Sequence, residues 1–281
     1  MPPSQPPSPQ RPPNPKDTFI TVYGRKPVLE ALADPALVVD KVLLAEQSRG
    51  PGVAEIRAAA AARDVPVQQV SAHRVKVLAG NGRHDQGVLA DVVAQRMRPL
   101  ASALTHDLAG RAAGVLVLDR ITNPANVGMI LRTATAAGMH GIVLPRRGVP
   151  GIDPLVVKSS AGVAFHAPVL RAPTAEQACR TLAAAGFAVL GLSGSVPGAC
   201  PLYQRTAPER VAYVLGNETS GISEQVRREL TGWVSIPMAG GVESLNVASA
   251  AAVVCFEWAR QRAQLRGSRR GETRAGGRSY G

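Results

Sequence analysis

The sequence has few cysteines and few aromatic residues, and it lacks the long apolar run of a membrane span. Its three cysteines, Cys179, Cys200 and Cys255, form no CxxC pair, so a zinc ribbon is excluded and a disulfide scaffold is not expected. No apolar stretch reaches the ~20 residues that cross a bilayer, and the N-terminal stretch has no signal-peptide core. We therefore expect a protein of the reducing cytoplasm.

Several nucleotide-binding and catalytic signatures are also absent. The sequence has no GxxxxGK[ST], HExxH or GxSxG, and its five histidines are dispersed, which argues against a P-loop, a zinc hydrolase and a Ser-His-Asp triad. Gly191, Gly194 and Gly198 do not fit a GxGxxG after a strand, which disfavours a dinucleotide-dependent oxidoreductase. No metal site is predicted.

The chain carries a large surplus of positive charge. It has 32 Lys and Arg against 20 Asp and Glu, a net charge of +12 over 281 residues, and a pI near 10.6. This surplus favours a nucleic-acid partner, because neutralising phosphates releases counterions; the alternative is an arginine-rich composition without function. Aromatic residues make up only 4%, so phosphate and shape contacts are expected to dominate over base stacking.

Composition and periodicity divide the chain into five segments. Residues 1–17 hold eight of the 23 prolines and predict a disordered arm. Residues 18–95 alternate short strands with helical stretches, which predicts a small α/β sandwich. Residues 96–112 show little periodicity and predict a linker, and the arginine-rich residues 266–281 predict a loose basic tail.

The fifth segment, residues 113–265, predicts an α/β fold with an open parallel sheet and helices on both faces. Strands that are apolar on both faces are typical of parallel sheets covered by helices. The predicted strands are Val115–Leu118, Gly141–Leu144, Phe187–Leu192, Val211–Leu215 and Val234–Ile236. Thr174 and Gln177 form a capping-box signature before one helix, and a last helix is expected over about 245–264.

Polar residues follow three of these strands. The segments are NPANVGMILR at 123–132, GNETSG at 216–221 and PMAGGVESLNVA at 237–248. Ligands of open α/β sheets bind outside the carboxyl ends of the strands, so these segments are expected to form one site. Taken singly, Asn126 is also explained as a helix cap, Arg132 as a surface cation and Asn246 as a polar residue at a helix start.

These segments, in this order, resemble the three motifs of the SpoU/TrmH RNA 2′-O-ribose methyltransferases. The matching patterns are N-P-x-N-x-G-x-x-x-R, L-G-N-E-x-x-G and I-P-M-x-G-x-x-x-S-L-N-V. The similarity covers residues 113–265 and includes 158–162. Residues 22–32 resemble the ribosomal-protein-like substrate-binding domain of the RlmB-like branch. The resemblance implies S-adenosylmethionine as cofactor, a deep trefoil knot in the C-terminal part of the sheet, and a homodimer.

The same resemblance implies roles for individual residues. Those expected around the methyl group and the ribose are Asn126, Arg132, Glu218 and Asn246, and those expected to line the cofactor pocket are Gly216, Ile236, Met238 and Leu245. Arginine has a pKa above ~12 and is normally a cation. We therefore interpret Arg132, oriented by Asn126 and Glu218, as a clamp on a phosphate and a stabiliser of the ionising ribose hydroxyl, the alternative being a general base.

The expected RNA-binding residues are basic residues of both predicted domains, namely Arg25, Lys26, Arg83, His84 and Lys158. In RHDQG at 83–87, Asp85 interrupts the His-Gln-Gly common in RlmB-like members, so His84 is also explained as a turn-stabilising residue. The resemblance to the RlmB-like branch implies a guanosine of 23S rRNA as the substrate. The alternatives are tRNA methylation, resistance-type rRNA methylation and, in a different class, a non-catalytic ribosome assembly factor.

Overall fold

The computed structural model describes residues 17–79 and 85–275, with side chains described through residue 265. The strands are β1 (Phe19–Tyr23), β2 (Val39–Ala45), β3 (Val67–Val70), β4 (Val88–Val93), β5 (Arg98–Pro99), β6 (Ala113–Leu118), β7 (Gly141–Pro145), β8 (Val169–Ala172), β9 (Ala188–Leu192), β10 (Cys200–Pro201), β11 (Arg210–Leu215) and β12 (Gly232–Ser235). The helices are α1 (Arg25–Ala33), α2 (Pro51–Ala61), α3 (Ala72–Ala79), α4 (Leu100–His106), α5 (Pro124–Ala136), α6 (Pro154–Ser159), α7 (Ala175–Ala184), α8 (Glu224–Arg227) and α9 (Val247–Ala275).

The first four strands form a sheet of their own, in the order β1-β4-β2-β3. β2 and β3 are parallel, whereas β4 runs antiparallel to β1 and β2. Side chains alternate across β2, so Val42 and Leu44 pack with α1 and α2 while Leu43 packs with Val75 of α3. Helices therefore cover both faces of this small sheet.

The other eight strands form one parallel sheet in the order β10-β12-β9-β11-β6-β7-β8-β5. All six residues of β6, in the middle of this sheet, are buried. Val115 and Val117 pack on one face with α4, α7 and α8, and Leu116 and Leu118 pack on the other with α5 and α9. The prediction of an open parallel sheet covered on both faces is confirmed.

The predicted linker over 96–112 is wrong. This segment contains β5, which pairs with β8 at the edge of the large sheet, and α4, whose Leu100 and Ala103 are buried. Their spacing of three residues places them on one helix face, but the run is too short to stand out as a helical pattern in sequence. The strand β8 was also not predicted, because Arg171 interrupts its apolar run.

The two ends of the chain differ from the predictions at their inner boundaries. Residues 1–16 and 276–281 lie outside the described residues. Asp17, the last residue of the predicted arm, is only 6% exposed, and α9 continues ten residues beyond 265, to Ala275. Propagating a helix costs little once packing has fixed its first turns, which explains why the arginine-rich segment continues it.

Asp17 connects the small sheet to the large one. Its carboxylate pairs with Arg146, which follows β7, and lies 3.8 Å from Nε of Arg171 in β8. Arg171 also donates a hydrogen bond to the Leu144 carbonyl oxygen at 3.0 Å. Burial lowers the pKa of Arg171, and the Asp17 carboxylate opposes that effect.

Among the helices that the structure describes, none combines the length and the apolar character that a membrane span needs.

Candidate active site

The three polar segments predicted to form a site meet at the carboxyl edge of the large sheet. β6 leads into α5, β11 leads into the loop 216–221, and β12 leads through 236–246 into α9. β11 and β6 are adjacent parallel strands, and β12 lies two strands from β11. The strand order therefore brings together residues that are about 120 positions apart in sequence.

Asn246, Asn126 and Glu218 form a continuous hydrogen-bonded chain at this edge. Asn246 donates its Nδ2 hydrogen to Asn126 Oδ1 at 3.1 Å. Asn126 in turn donates its Nδ2 hydrogen to Glu218 Oε1. Asn126 is 5% exposed, so its amide is held in one orientation between the other two side chains. Three of the four residues expected around the methyl group and the ribose are thus in direct contact.

The loop 216–221 presents Glu218 by closing on itself. Asn217 and Gly221 exchange two backbone hydrogen bonds, of 3.1 and 2.9 Å. The side-chain Oδ1 of Asn217 accepts hydrogen bonds from the backbone amides of Thr219 and Ser220. These bonds satisfy the polar backbone of a tight turn and leave the Glu218 carboxylate at its exposed tip.

The helix-cap interpretation fails for Asn126, whereas Asn246, which was interpreted as a polar residue at a helix start, does cap a helix. The cap of α5 is Asn123, whose Oδ1 accepts a hydrogen bond from the amide of Ala125. Asn246 Oδ1 accepts hydrogen bonds from the amides of Ala248 and Ser249, the start of α9. Asn246 therefore has two roles, because its oxygen caps the helix while its nitrogen fixes Asn126.

A cavity of about 250 Å³ opens beside the hydrogen-bonded side chains of Asn246, Asn126 and Glu218. It is bounded by the loops after β9, β11 and β12, and Glu218 is at its rim. Its lining includes all four residues predicted to bind the cofactor, Gly216, Ile236, Met238 and Leu245. Residues of the loop after β9, Ser193 to Ser195, also line the cavity and were not predicted, because serines and a glycine in a loop carry no distinctive signal.

Gly216 has a steric reason to be glycine. A Cβ at this position would lie 2.4 Å from the carbonyl carbon of Gly221 and 2.4 Å from the nitrogen of Ile222. Both atoms belong to the backbone and cannot move aside as a flexible side chain would. The close approach of two chain segments, which forms one wall of the cavity, therefore requires a residue without a side chain.

Arg132 is not part of the hydrogen-bonded chain. It lies six residues beyond Asn126 on α5, its side chain is exposed, and no described residue accepts a hydrogen bond or forms an ion pair with it. Its predicted contact with Asn126 and Glu218 is therefore not present as a direct bond. Its guanidinium remains available to a ligand.

The segment 158–162 supports α5 from outside. A Cβ on Gly128 would lie 2.0 Å from Ser159 Oγ and 2.5 Å from the Val156 carbonyl oxygen, so α5 and α6 touch at this glycine. Ser160 is fully buried and accepts a hydrogen bond from the amide of Ala164. Lys158 is exposed at the end of α6.

Two predicted RNA-binding residues from different segments line one cleft. Lys26 of α1 and Lys158 of α6 both border a cavity of about 760 Å³ that also includes Phe165 and His166. Arg25, in contrast, is half-buried and donates from Nη2 to the Arg49 carbonyl oxygen at 3.4 Å. Arg83 and His84 lie outside the described residues. The inserted Asp85 is buried and accepts a hydrogen bond from the amide of Gly87 at 2.8 Å.

The buried cysteines are not suited to nucleophilic catalysis. Burial raises the pKa of Cys179 to about 12, with smaller contributions from the Asp119 and Glu229 carboxylates. Burial alone raises the pKa of Cys255 to about 12. Because the thiolate is the reactive form, both thiols are inert near neutral pH. Residues 17–79 and 85–275 contain no group of three or more His, Cys, Asp or Glu arranged to hold a metal ion.

Solved structures resemble the chain over most of its length. An AdoMet-bound rRNA methyltransferase from Sinorhizobium meliloti has a TM-score of 0.59 and 27% identity, and the match covers 87% of each chain. AviRb, a SpoU methyltransferase from Streptomyces viridochromogenes, has a TM-score of 0.59 at 24% identity over 88% of this chain and 91% of that one. The latter likeness shows the fold alone.

Sequence comparisons identify the family. A 23S rRNA (guanosine-2′-O-)-methyltransferase RlmB of Xanthomonas axonopodis pv. citri is 34% identical over 86% of this chain and 96% of its own length. An uncharacterized tRNA/rRNA methyltransferase of Mycolicibacterium vanbaalenii is 36% identical over 88% of this chain and 77% of its own length. Residues 21–98 match the RNA 2′-O ribose methyltransferase substrate binding family. Because residues 113–256 match the SpoU rRNA Methylase family, over the same segment that builds the site, the chain belongs to that family.

Proposed function

We propose that the protein transfers a methyl group from S-adenosylmethionine to the 2′-hydroxyl of a ribose in RNA, and that its substrate is a guanosine of 23S rRNA. The observation that carries this proposal is the hydrogen-bonded chain from Asn246 through Asn126 to Glu218 beside a cavity of about 250 Å³. Relatives named as 23S rRNA guanosine methyltransferases support the choice of RNA and nucleoside. A cytoplasmic location agrees with such a substrate.

The cavity fits the proposed cofactor. Gly216 allows the backbone of Gly221 and Ile222 to approach closely, which forms a wall from main-chain polar groups. Ile236 and Leu245 supply apolar surface on other sides, as a flat purine ring requires. When bound, S-adenosylmethionine supplies a methyl group already activated by its sulfonium. The residues of the chain then have to orient the ribose and assist the loss of its hydroxyl proton.

Charge at the site can meet these two needs. Glu218 is fixed by Asn126 at the rim of the cavity, where its carboxylate can orient the ribose. Arg132 has five N–H donors and no partner among the described residues, so it can clamp a neighbouring phosphate and stabilise the developing alkoxide. An arginine cation does not accept the proton, so the hydroxyl proton passes to solvent at the exposed rim while the methyl group moves to the 2′-oxygen and S-adenosylhomocysteine is left.

The RNA-binding proposal extends to the cleft that contains Lys26 and Lys158. The cleft lies between α1 of the small sheet and α6 of the large sheet, so RNA bound there would contact both. We assign residues 18–95 as the RNA-binding domain and 113–265 as the methyltransferase domain. The family match of residues 21–98 to a substrate-binding model supports the first assignment.

We further propose the trefoil knot and the homodimer. The chain leaves β12, beyond β9, and returns through 236–246 to α9, which packs on α5. On this path the Glu243 carbonyl oxygen would lie 3.4 Å from a Cβ added at Gly194, in the connection after β9, so the two segments run close together, as threading past that connection requires. Met129 of α5 and Phe256 of α9 are 39% and 53% exposed, which gives these helices an apolar face for a second copy.

The proposal is tested by methyl transfer to unmodified transcripts of 23S rRNA and tRNA, with cofactor binding followed by calorimetry. Asn126→Ala is expected to lower kcat by about 100-fold or more, because one fixed polar group in such a site contributes about that factor. Arg132→Lys is expected to lower kcat because lysine lacks the planar fork of donors; near-normal turnover would exclude the clamp.

Thr174→Ala is the control, because Thr174 caps α7 away from the site. It is expected to cost about 1 kcal/mol of stability and leave kcat unchanged. Binding of 23S rRNA without methyl transfer, or no uptake of the cofactor, would contradict the proposal. Methylation of tRNA alone would retain the reaction and replace the substrate.

A further inference from the structure

Arg120 has a backbone conformation that arginine rarely adopts. It follows β6 by two residues and has φ of +56°, in the left-handed region that costs most residues roughly 1–2 kcal/mol. Outliers of this kind persist where the surrounding structure enforces them, and they cluster at functional sites. Arg120 lies three residues before Asn123, the cap of α5, at the edge of the large sheet where the site is built.

The surroundings hold Arg120 against the loop that carries Glu218. Asn217 donates its Nδ2 hydrogen to the Arg120 carbonyl oxygen at 3.0 Å. The Arg120 Nη2 group donates to the Gly221 carbonyl oxygen at 3.3 Å. Arg120 is therefore hydrogen-bonded to both ends of the 217–221 turn, through its main chain to Asn217 and through its side chain to Gly221.

The guanidinium keeps most of its binding capacity. Its Nε lies 3.9 Å from Asp119 Oδ1, and the Arg120 side chain is 43% exposed while that of Asp119 is 4% exposed. Asp119 Oδ2 already accepts a hydrogen bond from the amide of Ser223 at 2.6 Å. Arginine has five N–H donors in a planar fork, and the described residues accept one hydrogen bond from it. The remaining donors are available at the partly exposed surface.

The position of Arg120 indicates which anion it takes. Arg120 does not line the 250 Å³ cavity, whereas the loop residues that it holds do. The cofactor, with its carboxylate, is proposed to bind inside that cavity. An anion bound by Arg120 outside the cavity would therefore be a phosphate of the RNA strand.

We infer that Arg120 binds a backbone phosphate of the RNA next to the ribose that is methylated, and so couples RNA contact to the loop carrying Glu218. This inference rests on the proposed function. It assigns a substrate-positioning residue that is separate from Arg132, because Arg120 stands on the β6 side of the site and not on α5.

The test compares Arg120→Gly, Arg120→Lys and the wild-type protein. Glycine accepts a positive φ without strain, so Arg120→Gly removes the guanidinium and is expected to keep the melting temperature at or above that of the wild type. The control is Arg228→Ala, which removes an exposed cation directly after α8, a helix on the opposite face of the sheet from α5. The measurements are binding of unmodified 23S rRNA at several KCl concentrations, binding of S-adenosylmethionine, and the KM and kcat of methyl transfer.

Arg120→Gly is expected to raise the Kd for RNA about tenfold, as the loss of a charge-assisted phosphate contact implies. The slope of log affinity against log salt should fall by about 0.7 to 0.9, the value for one phosphate contact. KM should rise with little change in cofactor binding, and Arg120→Lys should restore the slope. Arg228→Ala should leave all of these values unchanged.

Two results would overturn the inference. The first is an unchanged RNA affinity and salt slope in Arg120→Gly while the wild type methylates RNA. The second is weaker cofactor binding in Arg120→Gly with an unchanged salt slope, because it would make Arg120 only a fastening of the loop. If the wild-type protein itself transfers no methyl group, the proposed function fails instead.

Discussion

At the scale of single residues, Gly216 decides whether the proposed cofactor cavity can form. It follows β11 directly, and the chain must turn so tightly that Gly221 and Ile222 come back against it. Any side chain would push these backbone segments apart. The turn that they form also carries Glu218, so cavity shape and carboxylate position depend on the same close contact.

We predict that Gly216→Ala weakens S-adenosylmethionine binding at least about tenfold and costs about 1–3 kcal/mol of stability, the usual range for overpacking. Calorimetry and thermal unfolding measure the two effects. Gly232→Ala is the matched control, because a Cβ there would meet only the Leu190 Cδ2 methyl at 3.5 Å. Normal cofactor affinity in Gly216→Ala would contradict the structure of this wall.

The sequence predicted which residues lie near one another at the candidate site better than it predicted the contacts between their side chains. Asn126, Glu218 and Asn246 were predicted to lie together because each follows a strand within a recognisable motif, and the structure joins them by hydrogen bonds. Their part in catalysis stays a prediction. Arg120 was not predicted to belong to the site, because an arginine in the sequence gives no sign that its φ is positive. It also lies just before the motif. Arg132 was predicted to act with Asn126, and its role stays a prediction because it has no described partner.

At the scale of elements, Gly128 sets the distance between α5 and α6. The Ser159 hydroxyl and the Val156 carbonyl oxygen occupy the space that a Cβ at position 128 would need. Ser159 also donates a hydrogen bond to the Leu155 carbonyl oxygen at 2.7 Å, so the end of α6 is fixed from within. The position of α5, and with it that of Asn126, depends on this contact.

We predict that Gly128→Ala lowers the free energy of unfolding by about 1–3 kcal/mol, measured in urea, because the added methyl group overpacks the helix contact. Ser159→Ala alone should change stability little. The double variant should recover only part of the loss, since the Val156 carbonyl oxygen remains. Gly128→Ala with wild-type stability would mean that the two helices do not approach as described.

Strands were predictable from the sequence where four or more consecutive residues were apolar. The runs at β6 and β11 are buried throughout or nearly so, and their predicted bounds differ from the structure by no more than two residues. The segment with β5 and α4 was taken as a linker, because two and seven residues are too few to show a period. Those elements depend on pairing with β8, which sequence periodicity does not encode.

At the scale of the whole molecule, buried charge joins the small sheet to the large one. Asp17 lies before β1, yet its two partners come from the large sheet, where Arg146 directly follows β7 and Arg171 belongs to β8. Pairing between groups 129 residues apart is not readable from composition. The surplus of positive charge was readable from composition, and Lys26 and Lys158 place part of it at the cleft where we propose that RNA binds.

The most direct test of the central claim is the identity of the methylated nucleoside. Unmodified 23S rRNA is incubated with the protein and S-adenosylmethionine, digested to nucleosides, and analysed by mass spectrometry against an Asn126→Ala reaction. The account predicts 2′-O-methylguanosine in the wild-type reaction, with at least about 100-fold less in the variant. A methyl group on a base, or equal amounts of product in both reactions, would contradict it.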